Sequence, residues 1–192
     1  SIAVKLPKGK PTELFFFYIS AYGKPRTIQE IQKTLWPEFS DENAHNNFLV
    51  NNTSIKKIFA QNGYDNIVEH KDDYYFIPTH RILCDYFDFM KNINSLFILN
   101  QNDLENTAAL YTGKFCANQD WEFLEQVQQN CQKKYITLMY TLVELYTSEH
   151  ETEKKEKALQ IILSVDPFQE KAYKMLHDLY LSIGKKNECN YN

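Results

Sequence analysis

The chain has 192 residues, 43% of them hydrophobic and 15% aromatic, with a net charge of −4. That length holds one large domain or two of about a hundred residues, and so much apolar material excludes a disordered chain. No apolar run approaches the roughly eighteen residues of a membrane helix, and the stretch from Ser1 to Lys10 has no signal-peptide core, so a cytoplasmic location is expected.

Charge is unevenly divided. Residues 1–80 carry nine lysines and arginines against nine aspartates and glutamates, and the remainder holds the whole net negative charge. A neutral first half binds nucleic acid only where its cations cluster, and then with modest non-specific affinity. Cys84, Cys116, Cys131 and Cys189 lack ligand spacing and read as reduced thiols. His45, His70, His80, His150 and His177 show no metal spacing, and HExxH, GxSxG and P-loop patterns are missing. No enzyme activity, cofactor or metal is expected.

In chain order, residues 11–22 place Leu14, Phe17, Tyr18 and Ala21 at helical spacing before the break Gly23-Lys24-Pro25. Thr27 and Glu30 form a capping box for a second helix carrying Ile28, Ile31 and Leu35, which stops at Trp36-Pro37. A third helix runs from Ser40-Asp41 to Asn62-Gly63 with Ala44, Phe48, Ile55 and Phe59 on one stripe. At 100° per residue, Asn46, Val50, Thr53 and Lys57 fall on the opposite face, with Asn47 and Ser54 beside them. Ile67–His70 and Tyr74–Ile77 then flank Lys71-Asp72-Asp73 as a hairpin. Three helices followed by a hairpin, the second and third helices closely joined, is the order of a winged helix-turn-helix.

From Asp85 onward the pattern is helical. A short helix is expected over residues 101–112, ending at Gly113. Trp121, Leu124, Val127, Cys131, Tyr135, Leu138, Leu142 and Leu145 mark one long amphipathic helix or two meeting at a bend. Thr147–Lys157 reads as a charged, solvated turn within which the Glu153/Lys157 pair at i,i+4 supports an exposed helix start, and Ala158–Val165 as the next helix. Asp166-Pro167 is expected to cap a last helix that buries Ala172, Leu176, Leu179 and Ile183. Leu142 and Leu176 stand 34 residues apart, as do Tyr146 and Tyr180, a tetratricopeptide-like spacing; a generic helical bundle is the alternative. The aromatic segment Tyr86–Met90 and Trp121 either line the junction between domains or face a partner. The expected fold class is mainly α: a winged helix-turn-helix with a small hairpin wing over 1–80, and an all-helical, tetratricopeptide-like domain over 81–192.

Residues 46–59, NNFLVNNTSIKKIF, resemble the recognition helix of the antibiotic-regulatory-protein (SARP) type of winged helix, related to the output domain of two-component response regulators. The preceding ELFFFYISAYGKPRTIQEIQKTLWPEFSDENAHNN resembles that family's first two helices, including Leu35-Trp36-Pro37. Residues 108–184 are similar to the bacterial transcriptional activator domain that accompanies it, at Ala109–Phe115, Asp120-Trp121-Glu122, Ala158-Leu159 and Asp166–Ala172. The pieces cover nearly the whole chain in the family's own order. The resemblance implies a cytoplasmic transcription activator acting on double-stranded DNA, a homodimer, and RNA polymerase as a further contact, with the helical domain serving dimerisation or signal coupling. The family's winged helix usually begins with an N-terminal sheet, of which only Ile2–Leu6 could remain; this implies an output fragment of a larger response regulator.

Helix chemistry names the candidate residues. Asparagine bonds an adenine edge bidentately, and a Val or Thr methyl meets the thymine methyl, so Asn46, Asn47, Val50 and Thr53, with Ser54 beside them, are candidate readers of A·T-rich sequence. Lys57, Lys56 at the family's Arg position, and Lys71 on the wing are candidate phosphate contacts, which fix register rather than sequence. The sequence departs from the family at Leu49 and Ser54, where Arg is frequent, at Asn52, where an apolar residue is usual, and at Asp72-Asp73, where Gly is common. These departures lead to an expectation of weak, A·T-leaning binding. The alternative is a protein-interaction module with a helical-repeat groove, whose winged helix no longer binds DNA.

Overall fold

The computed structural model describes residues 4–184. Among them it is mainly helical, with eight α-helices and one small antiparallel sheet. The chain divides into two compact units, one running to Phe87 and including Asn118–Val127, the other taking Asp88–Ala117 and Gln128 onward. Cys189 and Ser1–Ala3 lie outside the described residues, and Val4–Leu6 join no strand.

The first unit opens with α1 (Lys10–Ser20), β1 (Arg26–Thr27), α2 (Ile28–Leu35) and α3 (Asp41–Gln61), followed by β2 (Glu69–Lys71) and β3 (Tyr74–Phe76). α2 starts where it does because Thr27 Oγ1 accepts from the Glu30 N–H at 3.1 Å while Glu30 Oε2 accepts from the Thr27 N–H at 2.8 Å. This reciprocal cap satisfies two of the donors that a helix start leaves open. α3 takes Ser40 as its N-cap, with Asp41 and Glu42 in the first turn facing the positive end of the helix dipole. It ends at Asn62, before Gly63 in the left-handed region at φ 83°. α1 and α2 both pack on α3. Leu14, Tyr18, Ile31, Leu35, Phe48 and Ile55 fill the space between them, each large apolar side chain contributing about 1.5–3 kcal/mol by leaving water. Trp121, which was expected inside the long helix, precedes it and stacks between Phe16 and Phe123 in this unit. Tyr86 also packs within this unit and donates to the Ser20 carbonyl at 3.0 Å.

The sheet has the order β1-β3-β2, all antiparallel. β1 is absent from the sequence reading for a physical reason. Two residues carry no alternation, and Arg26–Thr27 is a strand only because Tyr74 and Tyr75 pair with it. The hairpin is shifted slightly from expectation. Lys71 belongs to β2, and the turn is Asp72-Asp73 alone, with Asp72 at φ 53°.

The second unit contains residues of α4 (Asp85–Ile93), then α5 (Gln101–Ala109), α6 (Leu124–Leu145) from Gln128 onward, α7 (Thr152–Val165) and α8 (Glu170–Ser182). Leu104, Leu138, Leu142, Leu159, Ile162 and Leu176 form its core. Thr107 is fully buried and satisfied, accepting from Asn92 Nδ2 at 2.9 Å and donating to the Asp103 carbonyl at 2.7 Å. Tyr111 stacks on Tyr135 with ring centres 4.1 Å apart. Three boundaries differ from expectation. α5 stops at Ala109, short of Gly113. α7 begins at Thr152, inside the run expected as a turn, since Glu and Lys are good helix formers and Lys154 is anchored by Glu105 at 2.8 Å. Asp166-Pro167 makes a turn and does not cap α8: Asp166 closes α7 as its C-cap and accepts from the Phe168 N–H at 3.0 Å and from Gln169 Nε2 at 2.7 Å, and α8 starts only at Glu170.

Candidate nucleic-acid interface

α3 presents one continuous stripe to solvent. Asn46, Val50, Thr53 and Lys57 are all exposed, and Val50 keeps 69% of its surface open to water. At 1.5 Å per residue the stripe is about 16 Å long. Asn47 and Ser54 lie half-buried on one flank, and Lys56, half-buried, lies on the other beside Leu49. Lys71 is exposed on β2, paired across the hairpin with Tyr74, so the two side chains share one face of the sheet.

The asparagines of α3 behave differently from one another. Asn47 Nδ2 donates back to the Asn43 carbonyl at 2.9 Å, and Asn51 Nδ2 to the Asn47 carbonyl at 2.7 Å. This local bonding is the habit that makes Asn a weak helix former, and it ties those two amides to the backbone. Asn52 is buried and accepts the Tyr18 hydroxyl. Asn46 remains the exposed amide on the stripe. Asn51 is a buried polar residue missed by the sequence reading. Its position between the apolar and polar arcs of the helix carries no signal of which side it takes.

Charge along α3 changes sign, with Asp41 and Glu42 at its start and Lys56 and Lys57 about four turns later. Arg81, in the turn after the hairpin, is paired to Glu69 on β2 at 3.2 Å, Lys71 is an exposed cation on β2, and Asp72 and Asp73 carry opposing charge at the turn. Beside α2 and the start of α3 lies an open cleft of about 760 Å³ lined by Gln29, Lys33, Phe39 and His45 among others.

The helical unit has a shallow cavity of its own. About 330 Å³ is lined by Ala108, Ala109, Tyr135, Met139 and Ile161, with Glu105, Lys154 and Lys157 at its polar edge. Glu105 Oε1 accepts from Lys154 at 2.8 Å, Tyr146 at 3.1 Å and Gln101 at 3.3 Å. The Lys154 ammonium, ahead of the other two donors, holds the Glu105 carboxyl below its ordinary range. Burial pushes the Tyr146 phenol upward. Burial likewise raises the Cys131 thiol to about 11, leaving it a thiol at neutral pH. Among the described residues, no group of three or more His, Cys, Asp or Glu is placed to hold a metal ion, and no helix is long and apolar enough to cross a membrane.

No protein-family model matches the chain, and a comparison with curated proteins finds no match.

Proposed function

We propose that this chain is a DNA-binding transcription regulator, an activator, in which the first unit is a winged helix-turn-helix. The observation that carries this reading is the order α1-β1-α2-α3-β2-β3 with the sheet order β1-β3-β2. In it α2 and α3 make the helix-turn-helix, β1 closes the sheet beside the hairpin, and α3 turns outward the stripe of Asn46, Val50 and Thr53 that ends in Lys57. A helix of this kind fits the major groove, with Asn46, Val50 and Thr53 toward base edges and Lys56, Lys57 and the wing's Lys71 toward phosphates. The SARP resemblance of residues 46–59 and 108–184 favours the same assignment.

In the same proposal the second unit is a tetratricopeptide-like pair of helix hairpins, α5–α6 and α7–α8, that dimerises or couples a signal and brings RNA polymerase into contact. Its support is a repeated device. Tyr146, just past α6, donates to Glu105 on α5, and Tyr180, 34 residues on, donates from α8 to Glu156 on α7 at 3.0 Å. A second reading, an interaction module without DNA binding, draws on the carboxylates of Asp72 and Asp73 at the wing turn.

The test is binding of the chain to genomic duplex fragments against salt. Counterion release makes log affinity fall linearly with log salt, by about 0.9 per phosphate contacted. A measurable slope that shrinks in Lys57→Ala supports the regulator. No binding even at low salt selects the interaction module.

A further inference from the structure

The middle of α3 is apolar where a solvated helix face is ordinarily polar. Val50 is 69% exposed and Leu49 43% exposed, with Asn46 one turn before and Thr53 one turn after. Single exposed apolar residues are common on protein surfaces, so exposure alone assigns nothing. The surroundings of Val50 are more specific. At 100° per residue Thr53, Asn46, Lys57 and Val50 fall within an arc of about 60°, placing the apolar methyls on the same narrow strip as the exposed amide. The neighbouring amides do not compete: those of Asn47 and Asn51 are tied to their own helix backbone at 2.9 and 2.7 Å. Val50 is β-branched and stiff at χ1 in a helix, so its methyls are held in place before any partner arrives.

We infer that Val50 is a specificity residue that reads thymine through its C5 methyl group, while Asn46 one turn away bonds an adenine edge. This rests on the proposal that α3 enters the major groove and adds the identity of the base it selects. The major-groove edge of thymine alone among the four bases carries a methyl group. Burying one methyl-sized group contributes about 0.8 kcal/mol, which corresponds to about a fourfold change in affinity. The rise from Asn46 to Val50 is about 6 Å, so the two contacts fall within neighbouring base pairs.

The experiment selects a bound duplex from a randomised pool, then replaces each thymine in turn by deoxyuridine, which lacks only the methyl. One position is expected to lose about three- to fivefold in affinity. Val50→Ser, which carries no methyl group and sits at an exposed site that leaves the fold intact, is expected to bind the thymine and deoxyuridine duplexes equally. 5-Methylcytosine at that position should recover part of what cytosine loses with the original chain, but none with the variant. Selective binding that is indifferent to every deoxyuridine, or a deoxyuridine penalty that persists in Val50→Ser, overturns the inference and leaves DNA binding standing. Absence of any bound duplex overturns the DNA-binding proposal itself, and this inference with it.

Discussion

Tyr18 donates its hydroxyl to Asn52 Oδ1 across 3.1 Å, joining α1 to α3 through two side chains that are 0% and 5% exposed. Burial pushes the Tyr18 phenol far above its ordinary value, so at neutral pH it is protonated and a donor. An amide in the core of α3 is tolerated because this partner is present.

Removing one member of that pair is therefore expected to cost more than removing both. Tyr18→Phe leaves the Asn52 oxygen buried and unpaired, and Asn52→Leu does the same to the hydroxyl, each by about 1–3 kcal/mol. The double variant should recover much of the loss. Urea unfolding of the three variants measures this, and strictly additive losses would contradict the coupling.

The reciprocal cap of α2 sets a second expectation. Thr27→Ala should destabilise the protein by about 1 kcal/mol, and Thr27→Ser should restore most of it. Thermal melting monitored by circular dichroism reads the difference. An unchanged midpoint in Thr27→Ala would show that pairing of β1 with β3 fixes the start of α2 without the cap.

The Glu105–Lys154 pair predicts opposite effects at the two ends of the pH scale. The Glu105 carboxyl is lowered from its ordinary 4.5, chiefly by the Lys154 hydrogen bond. Its contribution is complete above 4.5 and disappears as pH falls through the depressed value. The Lys154 ammonium is raised from its ordinary 10.5 by the same bond, so its share is complete below 10.5 and disappears as pH rises past the raised value. Both groups are largely exposed and screened, so the effect is small. Glu105→Gln should flatten the stability profile at both edges, measured as melting temperature against pH.

Leu142, 2% exposed in α6, tests the core of the helical unit. Leu142→Asp buries a charge without a partner, which costs several kcal/mol, and the helical unit should lose its cooperative melting transition. Leu142→Met should retain it. Survival of the transition in the aspartate variant would remove the proposed repeat register.

What the sequence disclosed and what it hid follow one physical division. The cap Thr27/Glu30 and the opposed stripes of α3 are local, set by spacing within a few turns, and both are found where periodicity places them. The exposed stripe Asn46, Val50, Thr53 and Lys57 was readable for the same reason. β1, the early start of α7 and the displacement of Trp121 depend on partners distant in the chain: Tyr74 and Tyr75 for the strand, Glu105 for Lys154, Phe16 for the indole. The fates of the Asn47 and Asn51 amides depend on rotamers, which no spacing rule reports.

The turn of the hairpin separates shape from charge. Asp72 occupies left-handed backbone at φ 53°, a conformation glycine adopts without strain, so the hairpin does not require a carboxylate at that position. A single change to glycine would subtract negative charge from the face that also bears Lys71 while leaving the β2–β3 register in place. In the proposed regulator, Asp72 thus works as an attenuator: selection can set how firmly the protein holds DNA at this one turn, without disturbing the helix that chooses the sequence.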